Sequence, residues 1–523
     1  MLTKTIPMLN PKIPGILLLF IFLQNSLSAQ DKLNIKFGKV TPEDFNVVSP
    51  LIDSSTNAVV VAEVGKSEFI AERSSFTMKF TAKRRIKIIS KNGFDAATIS
   101  IPLYVSNNND GEKLDALSAY TYNIENGEII ETKLDRASVF TEKTSDHWIK
   151  KKFTFPALKE GSIIEYSYTV FSDYFFNLQP WTFQGAYPVL WSQYEAGIPE
   201  FYKYVILSQG YQPFLINKIT QAQASFSFID IKYSNDQSGG FTTIQGNAAT
   251  PGFTINGMVD YHMWIMKNVP ALKEEPFTTT VDNSIAKIEF QLNQVAFPNS
   301  PRRNVMNTWE NVARELMVND DFGIPINKAN NWLDDEDAVI LKNATTKLEK
   351  AQKIFEYLRN NFACNNNYTK YTVGLKEVFK KKSGSVADIN LLLIAMLRNQ
   401  QIDANPVILS TRANGFTHEF YPLLGRYNYV IAKVEIDNSS FYLDATVPEL
   451  AFGKLPSKVY NGQAREITKD GATPVYFIAD SLKEAGMTVV FLSNMDRGGM
   501  EGNFSHTFGM YESLKLRNKM TKT

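Results

Sequence analysis

The chain contains one cysteine, Cys364, in 523 residues. An intramolecular disulfide is therefore excluded, and stability must come from packed cores rather than covalent staples. An excess of charge is missing too: 55 Lys and Arg stand against 54 Asp and Glu, a net of +1. With no basic stripe, nucleic-acid binding has no electrostatic support. The 4 histidines are His147, His262, His418 and His506. They are scattered, with no second ligand at metal spacing, so neither a zinc site nor another metal or cofactor is expected. There is no internal repeat and no low-complexity segment. Only one apolar run is long enough to notice.

That run, residues 15–23 (GILLLFIFL), follows Lys4 and Lys12 and precedes the small residues around Ala29 and Gln30. It is about half the ~20 residues that a spanning helix needs. It reads as the core of a secretory signal over residues 1–30, cut near Ala29 or Gln30. No cysteine stands near the cut, which excludes a lipid-anchored lipoprotein. The expected product is exported, with no transmembrane span after cleavage. A large disulfide-free exported chain fits a bacterial envelope protein, periplasmic or outer-membrane-associated.

What is present is apolar and aromatic: 44% hydrophobic residues and 12% aromatics, suited to cores and β-rich layers. Residues 31–275 read as a β-sandwich. Ile164, Tyr166, Tyr168 and Val170 alternate with Glu165, Ser167 and Thr169, and Tyr120, Tyr122 and Ile124 lead into Asn126-Gly127, a hairpin signal. Met78 to Ile88 reads as a strand ending in a turn at Asn92-Gly93. Residues 276–464 read as α+β. Leu348, Ala351, Ile354, Phe355, Leu358 and Phe362 mark one face of a helix, and Val386 to Arg398 gives a second, more apolar one. A strand begins at Pro406, and Tyr427–Glu435 pairs with Ser440–Leu443 around Asp437-Asn438. Residues 465–523 turn β-rich again, with strands expected over 475–478, 487–492 and 504–510 and then a basic tail. Three short strands make a poor independent unit, so this part leans on the middle domain or is incomplete. The fold class is thus multidomain α+β.

The middle domain carries the chemistry-bearing pattern. Gly384-Ser385-Val386-Ala387-Asp388 opens the apolar helix. Tyr429 lies on the first strand of the hairpin and Asp444 at the end of the second, on one sheet face. A helix N-terminus facing two strands is where a cysteine enzyme holds its nucleophile, its base and the acid orienting the base. Here the nucleophile position holds Val386 and the base position holds Tyr429, a poor base near pH 7 because its ordinary pKa is about 10. Two substitutes are weighed. Ser385 adjoins the vacant position but needs a base in reach, and His418, in a Gly/Asn-containing loop, is the one imidazole to consider. Cys364 follows a helix and reads first as a small buried hydrophobe. Asp388, in the first helical turn, is explained by the helix dipole, and Ser410-Thr411-Arg412 is a candidate cleft lining.

These residues resemble the transglutaminase-like superfamily. Its motif runs Gly-x-Cys-x-Asp, an apolar helix ending in Leu-Arg, a His-containing strand and an Asp-x-Thr strand. Gly384, Asp388, Leu397-Arg398 and Asp444-Ala445-Thr446 match; Val386 and Tyr429 depart. The β-rich part before it resembles a domain of unknown function (number 3857) that precedes such cores in bacterial envelope proteins. The resemblance covers residues 40–460. It implies a papain-like α+β core whose catalytic triad, Val386, Tyr429 and Asp444, is degenerate. The expected function is non-catalytic binding of an envelope peptide, glycan or protein. The alternative is a hydrolase or acyl transferase of the superfamily using Ser385 or Cys364.

Overall fold

The computed structural model describes residues 33, 35–72, 74–106, 110–145, 147–229, 252–275, 278–496 and 498–520. The expected signal segment lies outside them. Alternating apolar residues in the N-terminal half build an eight-stranded sheet. Its spatial order is Ile216–Phe228, Phe253–Val269, Val189–Pro199, Ala58–Glu72, Ser75–Ile88, Ile163–Ser172, Lys113–Glu125, Glu128–Lys133. The pairing of Ala58–Glu72 with Val189–Pro199 is parallel, and the other neighbours are antiparallel. Asn126 and Gly127 both take positive φ, at 52° and 86°, the turn that fits the twist of a hairpin.

One face of this sheet packs on two smaller sheets. One joins Thr98–Tyr104, Trp148–Thr154 and Phe140–Ser145; the other joins Tyr202–Gln209, Lys287–Val295 and Arg303–Asn304. Phe76, Phe80, Phe153, Tyr194 and Ile288 fill the space between. The β layers therefore do not stop at residue 275. Ile288, Phe290 and Leu292 alternate inward on a strand paired with Tyr202–Gln209, so the boundary expected at 275/276 falls before the last strands of this domain. Asn92 and Gly93 lie in the 3-10 turn Lys91–Ala97 rather than in an isolated β-turn.

In the middle domain, helix Val386–Asn399 is buried along nearly its whole length, from Val386 to Leu397. A helix apolar on all sides must be covered on all sides. Lys347–Asn361 and Leu375–Lys381 cover one side, and a five-stranded antiparallel sheet covers the other. The strand order is Ser439–Leu443, Tyr429–Ile436, Asp403–Leu409, Gly462–Thr468, Gly471–Phe477. The last two strands cross the boundary expected at 464/465. Strand 475–478 thus completes the core sheet instead of opening a separate unit, because Gly462–Thr468 pairs with Asp403–Leu409. The two halves of the molecule touch through Arg426 and Glu289, 2.6 Å apart, and through Phe416 N donating to Asn283 Oδ1 at 2.7 Å.

Among the described residues after Phe477, one hairpin is formed, Met487–Asn494 with Met500–Thr507. The strand expected over 504–510 ends at Thr507, and the expected basic tail is helical over Met510–Met520. Leu514 and the Tyr511 hydroxyl, which donates to Leu455 O at 3.0 Å, seat that helix on the middle domain. No helix among the described residues is long and apolar enough to cross a membrane.

Candidate functional site

The expected triad positions come together where the motif spacing puts them. Val386 is the first residue of its helix, and Ser385 caps it. Asp388 N donates to Ser385 Oγ at 3.1 Å, and Ser385 N donates to Asp388 Oδ2 at 2.7 Å, a reciprocal capping box. The other oxygen, Asp388 Oδ1, accepts from Thr372 Oγ1 at 2.7 Å and Val373 N at 2.9 Å. Gly384 is required beside it: a Cβ there would lie 2.6 Å from Asp388 Cβ. Val386 N, a helix-start donor of the kind that serves an oxyanion in acyl transfer, donates to Asn367 O at 3.2 Å. The backbone of this same chain thus occupies the place where a tetrahedral oxygen would need it.

Across from the helix, Tyr429 OH donates to Asp444 Oδ2 at 2.8 Å and lies 3.1 Å from Thr446 Oγ1. Asp444 Oδ1 accepts from Asn390 Nδ2 at 3.0 Å, Thr446 N at 3.1 Å and Thr446 Oγ1 at 2.6 Å. Asn390 also donates to Val430 O and accepts from Ala445 N, both at 2.9 Å. Every partner is inside this cluster, and Val386, Tyr429 and Asp444 each have 0% exposure. Burial, and then the neighbouring Asp444 carboxylate, hold the Tyr429 phenol well above its ordinary value. It donates a proton to Asp444 and has no disposition to accept one.

Above this cluster the chain is filled. Val386 and Tyr429 share an apolar cluster with Val407, Leu409, Ile431 and Leu455, and Cys364 packs against it. Tyr368 meets the Tyr429 ring edge-on at 5.4 Å, and Lys458 Nζ sits 4.9 Å from the Tyr429 centroid and 4.7 Å from that of Tyr368. The sequence pattern reads Cys364 first as a small buried hydrophobe. It is half-buried, in a short parallel pairing of Ala363–Cys364 with Ser383–Gly384. Burial pushes its thiol up, only partly offset by a hydrogen bond from the Asn366 backbone, the opposite of what a thiolate nucleophile needs. Ser385 spends its hydroxyl on the cap, and among the described residues it donates to no base.

His418 does not swing in. Its Nδ1 accepts from Phe420 N and Tyr421 N, both at 3.2 Å, and its ring lies 4.6 Å from that of Tyr421. Burial, with Arg426 nearby, lowers its pKa. Ser410 and Thr411 are buried, not cleft-lining: Ser410 Oγ donates to Gly415 O at 2.6 Å and Thr411 N donates to Asn428 Oδ1 at 3.0 Å. No group of His, Cys, Asp and Glu among the described residues has metal-holding geometry. Sequence reasoning missed Asn390, Asn367, Tyr368 and Lys458. Asn390 carried a signal, being the lone amide within an otherwise apolar helical run; the others had none, because their roles come from contacts between distant segments.

Family models match in the same order as the structure. Residues 74–217 match DUF3857, a domain of unknown function with solved structures, and residues 337–445 match the transglutaminase-like superfamily. The chain joins a DUF3857 domain to a transglutaminase-like domain. Among solved structures it is similar to a "putative protease" from Parabacteroides distasonis ATCC 8503, with TM-score 0.50 and 13% identity, over 81% of this chain and 72% of that one. That likeness supports the fold. A "putative cysteine protease" from Cytophaga hutchinsonii aligns over 60% of this chain and 92% of its own, at 10% identity and TM-score 0.20. No curated protein matches the sequence. In the transglutaminase-like domain, the helix start, the strand and the Asp-x-Thr segment keep their places. At the helix start stands a packed valine, Val386, and on the strand a hydrogen-bonded tyrosine, Tyr429.

Proposed function

We propose that this chain is an exported protein whose transglutaminase-like domain no longer catalyses acyl transfer and instead binds an envelope peptide, glycan or protein. One observation carries the reading. The three triad positions are fully buried and mutually satisfied, and the helix-start donor of Val386 is held by Asn367 O. An acyl-transfer site needs a nucleophile, a proton acceptor and an open oxyanion site; here each of the three places is filled by something unable to serve. Export rests on the N-terminal charged and apolar pattern, and the periplasm or outer membrane is the proposed location.

The enzymatic alternative, with Ser385 or Cys364 as nucleophile, meets specific obstacles. Ser385 lacks a base, and the Cys364 thiol is pushed away from ionisation. The test is an acyl-transfer and peptidase assay on the native chain and on the Val386→Cys/Tyr429→His double variant. Neither is expected to turn over above background, because restoring the two side chains leaves Asn367 O on the oxyanion donor. Native turnover abolished both by a thiol-alkylating reagent and by Cys364→Ala would overturn the reading.

A further inference from the structure

The N-terminal β layers hold a pocket of about 860 Å³ that shares no residue with the triad cluster. It lies where the ends of Ile216–Phe228, Phe253–Val269 and Ser75–Ile88 meet the start of Tyr202–Gln209 and residues 297–300. The volume is within the range of small-ligand sites, about 300–1,000 Å³. Six aromatic side chains line it: Phe76, Phe175, Tyr202, Phe228, Phe253 and Phe297. The other described lining residues are Ile255, Pro298 and six exposed Ser, Thr and Asn residues, and none is charged. No ammonium or guanidinium among the described residues sits over any of the six rings. A charged ligand would therefore be buried without a counter-charge.

The rings meet at steep angles. Phe76 lies edge-on to Phe228, with centroids 5.0 Å and planes 76° apart, and Tyr202 lies edge-on to Phe297 at 5.6 Å and 85°. Phe253 stacks on Phe228 at 4.9 Å and keeps 49% of its surface exposed. A planar ring entering here can lie on one face and meet another edge-on, the arrangements that aromatic pairs favour. An unbranched acyl chain has no quadrupole to match them. The polar rim offers little to a sugar, since Thr254 Oγ1 pairs with Ser227 Oγ at 3.1 Å and Asn256 Oδ1 accepts from Ser225 Oγ at 2.7 Å.

Tyr202 supplies the buried directional group. It is 4% exposed, and its hydroxyl has no hydrogen-bond partner among the described residues. Two nearby tyrosines differ: Tyr194 donates to Gln179 O at 2.8 Å and Tyr204 to Phe175 O at 2.5 Å. Buried hydroxyls normally find such partners. Burial raises the Tyr202 pKa, so at neutral pH its hydroxyl is a donor without an acceptor. We infer that this pocket binds a neutral aromatic small molecule bearing a hydrogen-bond acceptor. The ligand ring packs among the phenylalanines and its acceptor takes the Tyr202 proton. The site lies outside the transglutaminase-like domain, so its test stands apart from the non-catalytic reading.

The test uses the full chain and a matched set of β-substituted naphthalenes, read by titration calorimetry. Acetylnaphthalene, neutral with a carbonyl acceptor, should bind saturably. Tyr202→Phe should weaken it about three- to tenfold, the loss of one hydrogen bond, and leave ethylnaphthalene, the same ring without the acceptor, unchanged. Phe253→Ala should weaken both by about threefold or more, the loss of one ring contact. Naphthoate should bind at least about tenfold more weakly than acetylnaphthalene, because its charge meets no cation. Removing a hydroxyl that bonds to nothing should leave thermal unfolding of the free protein unchanged, which establishes that Tyr202→Phe folds. Failure of acetylnaphthalene to bind, equal binding of naphthoate, or tighter binding of dodecanol, which would make this an acyl-chain site, overturns the assignment. So does a Tyr202→Phe effect that is absent or is the same for acetylnaphthalene and ethylnaphthalene.

Discussion

The two flanks of one helix start hold opposite kinds of polar chemistry. On one, Tyr429, Asp444, Asn390 and Thr446 satisfy each other in a closed set from which solvent is excluded. On the other, Asn367, Ser383 and Asp321 line an open pocket, and their side chains have no hydrogen-bond partner among the described residues. Polar residues near a family's catalytic position are therefore not interchangeable evidence of activity. A saturated buried cluster contributes to stability, and breaking it leaves partners stranded. An unsaturated exposed set contributes little to stability and has capacity left for a ligand.

The contrast can be broken by substitution. Asp444→Ala should have the largest effect, strands Tyr429 OH and the Asn390 amide in an apolar interior, and should cost about 3 kcal/mol of unfolding free energy by denaturant titration. Tyr429→Phe should cost less, about 1–2 kcal/mol, since Asp444 keeps its bonds from Asn390 and Thr446. It should also alter the alkaline limb. The folded phenol is held above its ordinary value, so the unfolded chain releases that proton first as pH rises past about 10. Stability carried by the neutral form is fully present below that pH and falls above it. The native protein should therefore lose stability more steeply than Tyr429→Phe above about pH 10, measured as unfolding midpoint against pH. Ser383→Ala, in the open pocket, should change stability by no more than about 0.5 kcal/mol. A loss at Ser383 as large as that at Asp444 would erase the distinction between the two flanks.

Much of this arrangement was legible in the sequence, and the reasons are local. The helix Lys347–Asn361 follows its apolar period, and the hairpin around Asp437-Asn438 turns on two residues with positive φ, 48° and 63°. Tyr429 and Asp444 share a face because strand alternation fixes it. The domain limits were not legible. Lys287–Val295 belongs to the N-terminal layers, and Gly462–Thr468 to the core sheet, only through pairing with strands far away in the chain. An alternating pattern says that a strand exists, not which sheet receives it. Cys364 illustrates the same limit at the site. Polar asparagines follow it in sequence, and its position against Val386 and Tyr429 depends on the parallel pairing with Ser383–Gly384.

The parallel pairing of Ala58–Glu72 with Val189–Pro199 has a consequence for how the chain is made. The antiparallel partner, Ser75–Ile88, follows at once and closes a hairpin, but the strand on the other side is synthesised much later. Until it arrives, one edge of the central strand stays open, with backbone groups able to recruit any passing strand. Closure across so long a stretch of sequence makes the sheet slow to complete. The vulnerable period of this protein is therefore the interval between the two strands' emergence, when a holding chaperone has an unpaired edge to shield.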